Sequence, residues 1–233
     1  MRSAGVAGMA ALMMLAACGS SNEAPGDGES ASAIIPAATS EAPKGRFEPR
    51  NECIELPGAK TFFLALENAV SARDADLLLQ NTSADVKLDF GGGGGLTTFR
   101  ERLSDKQGQL WSALDAATTM GCAHADNGDL VLPWYAEQPM DGIDPATSLI
   151  VTGKDVPLRN GPGAQDTQLA TVSWDAVTLV NGLDKDAAAQ HVTTSDGTEG
   201  YITTDRLRSP LDYRLRVAPM GDSWQIVSFV RGG

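Results

Sequence analysis

The chain has 233 residues, room for one large domain or two small ones with real cores. Its formal net charge of −12 sets up a field that repels phosphate, which argues against non-specific binding of nucleic acid or of anionic head groups. At 42% hydrophobic residues the chain is too apolar for wholesale disorder, so a folded core is expected.

The first element in chain order is an export signal. Arg2 supplies the positive start, and residues 6–17 form an apolar stretch with no charge. That stretch is too short to cross a bilayer as a mature helix, so residues 1–17 read as a cleaved signal peptide. It ends in Leu15-Ala16-Ala17-Cys18-Gly19, which resembles the lipobox of bacterial lipoproteins. The resemblance implies that the Cys18 thiol is alkylated with diacylglycerol, that cleavage falls just before it, and that the new amine is acylated, with palmitate the expected kind of chain. The competing reading is an ordinary secretory signal with a chance cysteine at its end. Several acyl chains, at about 0.8 kcal/mol per buried methylene, anchor a protein to a membrane with no spanning helix. Gly19 stands where an Asp would resemble an inner-membrane retention signal, which implies the periplasmic face of the outer membrane.

With Cys18 lipidated, Cys53 and Cys122 remain as an even pair in an oxidising compartment. A bridge between them would close a loop of roughly seventy residues, worth about 4 kcal/mol on the chain-entropy account. The other possibility is two buried free thiols. Neither histidine, His124 or His191, sits at metal-ligand spacing from a second good ligand, so no metal site and no cofactor are expected.

Residues 18–50, rich in Ser, Ala, Glu, Pro and Gly, read as a lipidated flexible tether, with a reach of about 30 Å for thirty such residues. Residues 51–146 read as an α+β domain. Phe62, Phe63, Leu66, Ala69 and Val70 recur at helical spacing, predicting a helix over 60–72. Asp74 reads as the N-cap of a short helix holding Leu77, Leu78 and Leu79. Val86, Leu88 and Phe90 alternate with Lys87 and Asp89, predicting a half-buried strand that the glycines of 91–95 break. Thr98 and Glu101 form a capping-box pair for a helix with Phe99 and Leu103 inward. Leu110, Trp111, Leu114 and Ala117 mark the next helix. Residues 130–135 read as a strand and 139–145 as a loop.

From residue 147 onward short β-rich runs are separated by turn signals: Asn160-Gly161-Pro162-Gly163, Asn181-Gly182 and Asp196-Gly197. Three pieces carry a resemblance. Val156-Pro157-Leu158-Arg159-Asn160-Gly161-Pro162-Gly163, the run from Leu169 through Trp174 to Leu179, and Gly197-Thr198-Glu199-Gly200-Tyr201-Ile202 together resemble a bacterial SH3-like domain over about sixty residues. The resemblance implies a small, strongly bent β-barrel over 147–208. Pro157, Asp175 and Tyr201 depart from the usual Asn, Gly and Trp of that pattern, and 182–190 is longer and more charged than the family's loop. Residues 209–233 show a hairpin pattern, Tyr213 to Val217 and Trp224 to Val230 around Gly221-Asp222, either appended or returning to pair with the strands at 86–90 and 130–135. In the second case the whole resembles a cystatin-like cone with the barrel inserted.

No catalytic set emerges. The glycine run lacks the Gly-Lys-Ser/Thr ending of a phosphate loop, and Asp89 beside it would repel an anion. Asp85 and Asp89, four apart on an extended strand, would stand about 13 Å apart, too far for paired acid–base work, with Asp85 expected at a loop end. Cys122 and His124, two apart in a turn, make a poor nucleophilic pair. Arg159, Asn160, Trp174 and Tyr201 combine planar groups with turn positions, residue types enriched where surfaces bind. The second explanation for Trp174 and Tyr201 is that they cap a small core. Arg206, Arg208, Arg214, Arg216 and Arg231 make the C-terminal piece basic and are expected to pair with the chain's own carboxylates. The expected function is that of a non-enzymatic envelope lipoprotein whose SH3-like domain binds peptidoglycan peptide or a protein partner. The alternative is a ligand-binding or catalytic pocket inside a cone-shaped N-terminal domain, lined by Phe63, Trp111 and Trp134.

Overall fold

Helical periodicity decides the first half of the chain. A computed structural model describes residues 45–232; the export signal, Cys18 and most of the expected tether lie outside the described residues. Helix α1 (Ala59–Ala72) buries Phe62, Leu66, Ala69 and Val70 on one face and stops at Arg73, which turns left-handed at φ 51°. Helix α2 (Ala75–Gln80) starts where the Asp74 carboxylate accepts from Leu77 N at 3.0 Å, the cap expected of that residue. Strand β1 (Thr82–Lys87) follows. It begins four residues earlier than the alternation at 86–90 predicts and ends at Lys87, because Asp89 folds back onto the glycine run; Leu88 stays buried while Phe90 is thrown out, 71% exposed. Asp85 therefore sits inside the strand, not at a loop end.

Helix α3 (Leu96–Leu103) buries Phe99 and Leu103 as expected, yet the capping box does not form. Its N-cap is Gly95, with no side-chain cap bond, so Thr98 and Glu101 lie within the helix. Helix α4 (Gln109–Thr118) buries Leu110, Trp111, Leu114 and Ala117. After β2 (Ala123–His124) comes β3 (Leu130–Leu132), shorter than the strand predicted over 130–135. Pro133 has no N–H for a ladder, and the chain winds into a 3-10 turn at Trp134–Glu137.

Nine short or medium strands complete the chain: β4 (Ser148–Val151), β5 (Val156–Arg159), β6 (Gln168–Val172), β7 (Ala176–Leu179), β8 (Ala189–Thr193), β9 (Glu199–Thr203), β10 (Leu207–Arg208), β11 (Arg214–Met220) and β12 (Ser223–Val230). They divide between two sheets. One has the order β1-β12-β11-β3-β2, with β1 parallel to β12 and the other pairs antiparallel. The C-terminal hairpin thus lies at the centre of the first sheet, and β4 to β10 are inserted in sequence between its neighbours β3 and β11. The helices cover this sheet, burying Phe62, Leu66, Phe99, Trp111 and Leu114 with Leu130, Leu215, Ile226 and Phe229. The second sheet has the order β10-β4-β7-β8-β9-β5-β6 around Val151, Leu158, Val177, Val192 and Ile202. It is open, not the closed barrel expected. β10 contributes only two residues, and β6 carries an irregularity opposite Leu158/Arg159, so the two outer strands do not join.

The disulfide Cys53–Cys122 is present, with Cα atoms 5.9 Å apart and a sequence separation of 69. Both residues are fully buried. Alongside it runs a segment assigned to the tether by composition. Residues 45–50 are packed instead: Phe47 is 1% exposed, between Met120, Ala123, Trp134, Tyr135 and Ile150. Phe47 N donates to Trp174 O at 2.8 Å, Arg46 donates to Pro139 O and Asp141 O, and Cys122 N donates to Arg50 O. At Gly45 a Cβ would fall 2.0 Å from Ser173 O, so the approach requires glycine. This strap touches both the first sheet's loops and the second sheet.

Candidate functional site

Strands β5, β8 and β9 place planar side chains in a row. Arg159 faces Tyr201 across β5 and β9, and Tyr201 faces His191 across β9 and β8. Residues directly opposite on one face of a sheet bring their side chains together. The His191 and Tyr201 rings stack, with centroids 4.7 Å apart and 9° between planes. The imidazole Nε2 lies 3.7 Å from Glu199 Oε2, and its Nδ1 lies 3.4 Å from the Asn181 amide.

Beside this row opens a cleft of about 110 Å³, lined by Pro157, Arg159, Gly161, Pro162, Ala189 and Tyr201. The loop after β5 builds one wall. Arg159 Nη1 donates to Asp166 O at 2.9 Å, and Gly163 N donates to Asp166 Oδ2 at 2.7 Å. A Cβ at Gly161 would fall 2.4 Å from that same carboxylate oxygen, so any larger residue there would have to push the Asp166 side chain out of its place in the wall. Asn160 stands exposed at the lip, its backbone N donating to Thr167 O at 2.9 Å.

Of the four expected binding residues, Arg159 and Tyr201 line one cleft and Asn160 borders it, but Trp174 does not join them. It turns left-handed at φ 47°, donates from its backbone N to Gly153 O, and packs against the cluster around Phe47 and Ile150. Trp174 caps that junction cluster and not the small core of the second sheet, and Tyr201 is not packed against that core either. His191 belongs in the row and was not singled out. Its signal in the sequence was weak, a polar position on a strand whose register with Tyr201 only pairing reveals.

The remaining candidates resolve into internal partnerships. Asp89 Oδ1 accepts from Gly91 N at 3.0 Å and Gly93 N at 2.7 Å, and its Oδ2 accepts from Arg102 at 2.6 Å. The Arg102 bond, then the Gly93 and Gly91 amides, hold this carboxyl below its ordinary value. The glycine run is a nest of N–H donors that the chain fills with its own carboxylate. Asp85 and Asp89 border a common open cleft of about 580 Å³ with Lys87 and Phe90, yet Asp89 is fully engaged there. Cys122 is bridged and so cannot act with His124.

Phe63, Trp111 and Trp134 do not surround a common cavity. Trp111 is buried in the core of the first sheet and donates from Nε1 to Leu103 O, whereas Trp134 lies in the cluster around Phe47 and donates from Nε1 to Glu52. The C-terminal arginines meet the chain's own carboxylates. Arg216 pairs with Asp129 and Glu137, Arg208 and Arg231 flank Asp212, and Arg206 lies 3.8 Å from Asp205. Arg214 donates to Pro210 O instead. Tyr135, at the foot of this group, has its phenol pushed up to about 12, chiefly by burial.

Among the described residues no three His, Cys, Asp or Glu side chains gather to hold a metal ion, and no helix is long and apolar enough to cross a membrane. A scan against protein-family models and searches of curated proteins and of solved structures return no match to this chain.

Proposed function

We propose that the chain is a non-enzymatic envelope lipoprotein, anchored through Cys18 to the periplasmic face of the outer membrane, whose SH3-like second sheet binds peptidoglycan stem peptide, with an envelope protein as the alternative partner. The observation that carries the reading is the cleft in which Arg159 and Tyr201 meet. A guanidinium can fork onto a carboxylate while an aromatic face receives an aliphatic stem, the two contacts a short acidic peptide needs. Among the described residues the Arg159 guanidinium makes one hydrogen bond, through Nη1, which leaves the rest of its fork for a ligand. The anchor would hold this cleft within reach of the cell wall, and the acidic surface keeps the cleft's cation distinctive.

Two experiments test the reading. Purified sacculi should retain the chain at low salt, and Tyr201→Ala or Arg159→Ala should abolish retention while leaving the unfolding midpoint nearly unchanged. Sacculi that retain nothing would remove the cell-wall version and leave the protein-partner version to crosslinking in intact cells. For the anchor, cells fed labelled palmitate should label the wild type and not Cys18→Ser; an unlabelled wild type would end the lipoprotein assignment.

A further inference from the structure

The chain contains three Asn-Gly pairs in its described part, and the structure treats them differently: Asn127-Gly128, Asn160-Gly161 and Asn181-Gly182. An asparagine followed by glycine is the pair in which the next backbone nitrogen reaches the side-chain amide most easily, since glycine offers no Cβ in the way. Whether it does so in a folded protein depends on two local facts. The amide side chain must be free to turn, and the glycine N–H must be free of a hydrogen bond.

At Asn127 neither holds. Its Oδ1 accepts from Asp129 N at 3.1 Å, its Nδ2 donates to Asp129 Oδ2 at 2.9 Å, and Gly128 N donates to Ala125 O at 2.9 Å. Reaction there needs local opening first. At Asn160 both hold. The side chain is exposed, and among the described residues neither it nor Gly161 N makes a hydrogen bond. The glycine cannot be exchanged for a safer residue without disturbing the wall, because the Asp166 carboxylate occupies the place of its Cβ. Asn181 is intermediate: exposed, with its amide 3.4 Å from His191 Nδ1.

We propose that Asn160-Gly161 is a spontaneous deamidation and isoaspartate site built into the lip of the Arg159–Tyr201 cleft. The Gly161 nitrogen attacks Asn160 Cγ. The new N–C bond closes a five-membered succinimide, the bond from Cγ to Nδ2 breaks, and the nitrogen's proton leaves with the departing ammonia. Water then opens either carbonyl of the ring, giving aspartate or isoaspartate at position 160. Both products place a carboxylate next to Arg159, where it competes for the guanidinium that an acidic ligand would use. Isoaspartate also lengthens the backbone by one methylene between Asn160, which pairs with Thr167, and the glycine wall. The chemistry stands whether or not the cleft binds peptide; its effect on binding rests on the proposed function.

The test is to age the folded full chain at neutral pH in heavy-oxygen water, digest it, and locate incorporated oxygen by fragmentation. Asn160 should take up label as a mixture of aspartate and isoaspartate, several-fold faster than Asn127. In the denatured chain the two should react at comparable rates, because sequence alone then decides. Asn160→Gln should remove the label from that position. An Asn160 that stays unlabelled in the folded chain, or an Asn127 that labels as fast as Asn160 there, would overturn the assignment. Loss of sacculus retention in the aged wild type but not in aged Asn160→Gln would further support the carboxylate's effect on the cleft.

Discussion

The two sheets of this molecule use their aromatic residues in opposite ways. Against the first, Phe62, Phe99 and Trp111 of the covering helices pack with Phe229 of β12 in a buried core, and a fully buried disulfide closes the loop that carries the three helical rings. In the second, the core is made of Val151, Leu158, Val177, Val192 and Ile202, while Tyr201 and His191 stack half-exposed on the face. A small aliphatic core leaves rings available at the surface, where amphipathic planar groups are worth most to a ligand. A large aromatic core spends them on stability. On the proposed function the first sheet is the platform and the second carries the binding face, and the strap at Gly45–Arg50 packs between them.

The largest effect expected from breaking this arrangement is on the platform. Replacing Cys53 and Cys122 together by serine reopens a separation of 69 residues, which on the chain-entropy account costs about 4 kcal/mol. Urea unfolding should show the unfolding free energy of the first sheet's transition falling by that much. Non-reducing peptide mapping should recover the two cysteines as one linked pair, and a chain alkylated at both would refute the bridge. Next comes the strap. Phe47→Ala empties a fully buried site at the junction, and such a truncation costs about 3 kcal/mol or more. Beyond the midpoint shift, limited proteolysis should cut the loop around Met140 and Ile143 faster, since both side chains pack against the Phe47 cluster. Unchanged cleavage would mean that the strap does not hold the two sheets.

What was legible in the sequence divides along the same line. Periodicity found the helices because Phe62, Leu66, Ala69 and Val70 repeat on one face, and cysteine arithmetic found the bridge. Phe47 was invisible to both arguments. It is a single aromatic in a stretch of Pro, Glu and Arg, and a lone apolar residue has no period. The capping box at Thr98 and Glu101 failed because Gly95 turns the chain into the helix before either residue can cap it. Barrel closure depends on bonds between the outermost strands of a sheet, which no local pattern encodes. Turn and aromatic signals named Arg159 and Tyr201, which the structure brings to one cleft, but His191 needed the register of β8 against β9, and Trp174 lies apart at the junction, where its backbone turns left-handed.

A smaller effect is expected at the ion-pair cluster on the first sheet. Arg216 on β11 holds Asp129 and Glu137 from the loops flanking β3, with contacts of 3.3 Å and 2.5 Å. The group is part-exposed, so its truncation in Arg216→Met should cost about 1 kcal/mol. The loss should shrink as salt is added, which the Phe47 and cysteine effects should not. Salt-independence at Arg216 would assign its contribution to packing of the side-chain stem.

The smallest effect tests the glycine nest that Asp89 fills. Asp89→Asn keeps an Oδ1 that can accept from Gly91 N and Gly93 N but removes the charge facing Arg102. The sign of the pH dependence follows from the lowered carboxyl in the folded chain. Above the ordinary aspartate value of about 3.9 both folded and unfolded chains carry the charge, and the wild type has its full advantage over the variant. As pH falls below that value the unfolded chain binds a proton first, and the advantage drains away until the folded carboxyl is protonated too. The difference in melting temperature between wild type and Asp89→Asn should therefore be flat near neutrality, shrink through the acid range and vanish at its end. Taking the difference cancels the carboxylates that the two chains share. A difference that ignores pH would mean that the Gly91 and Gly93 N–H donors alone hold the nest, with Arg102 a bystander.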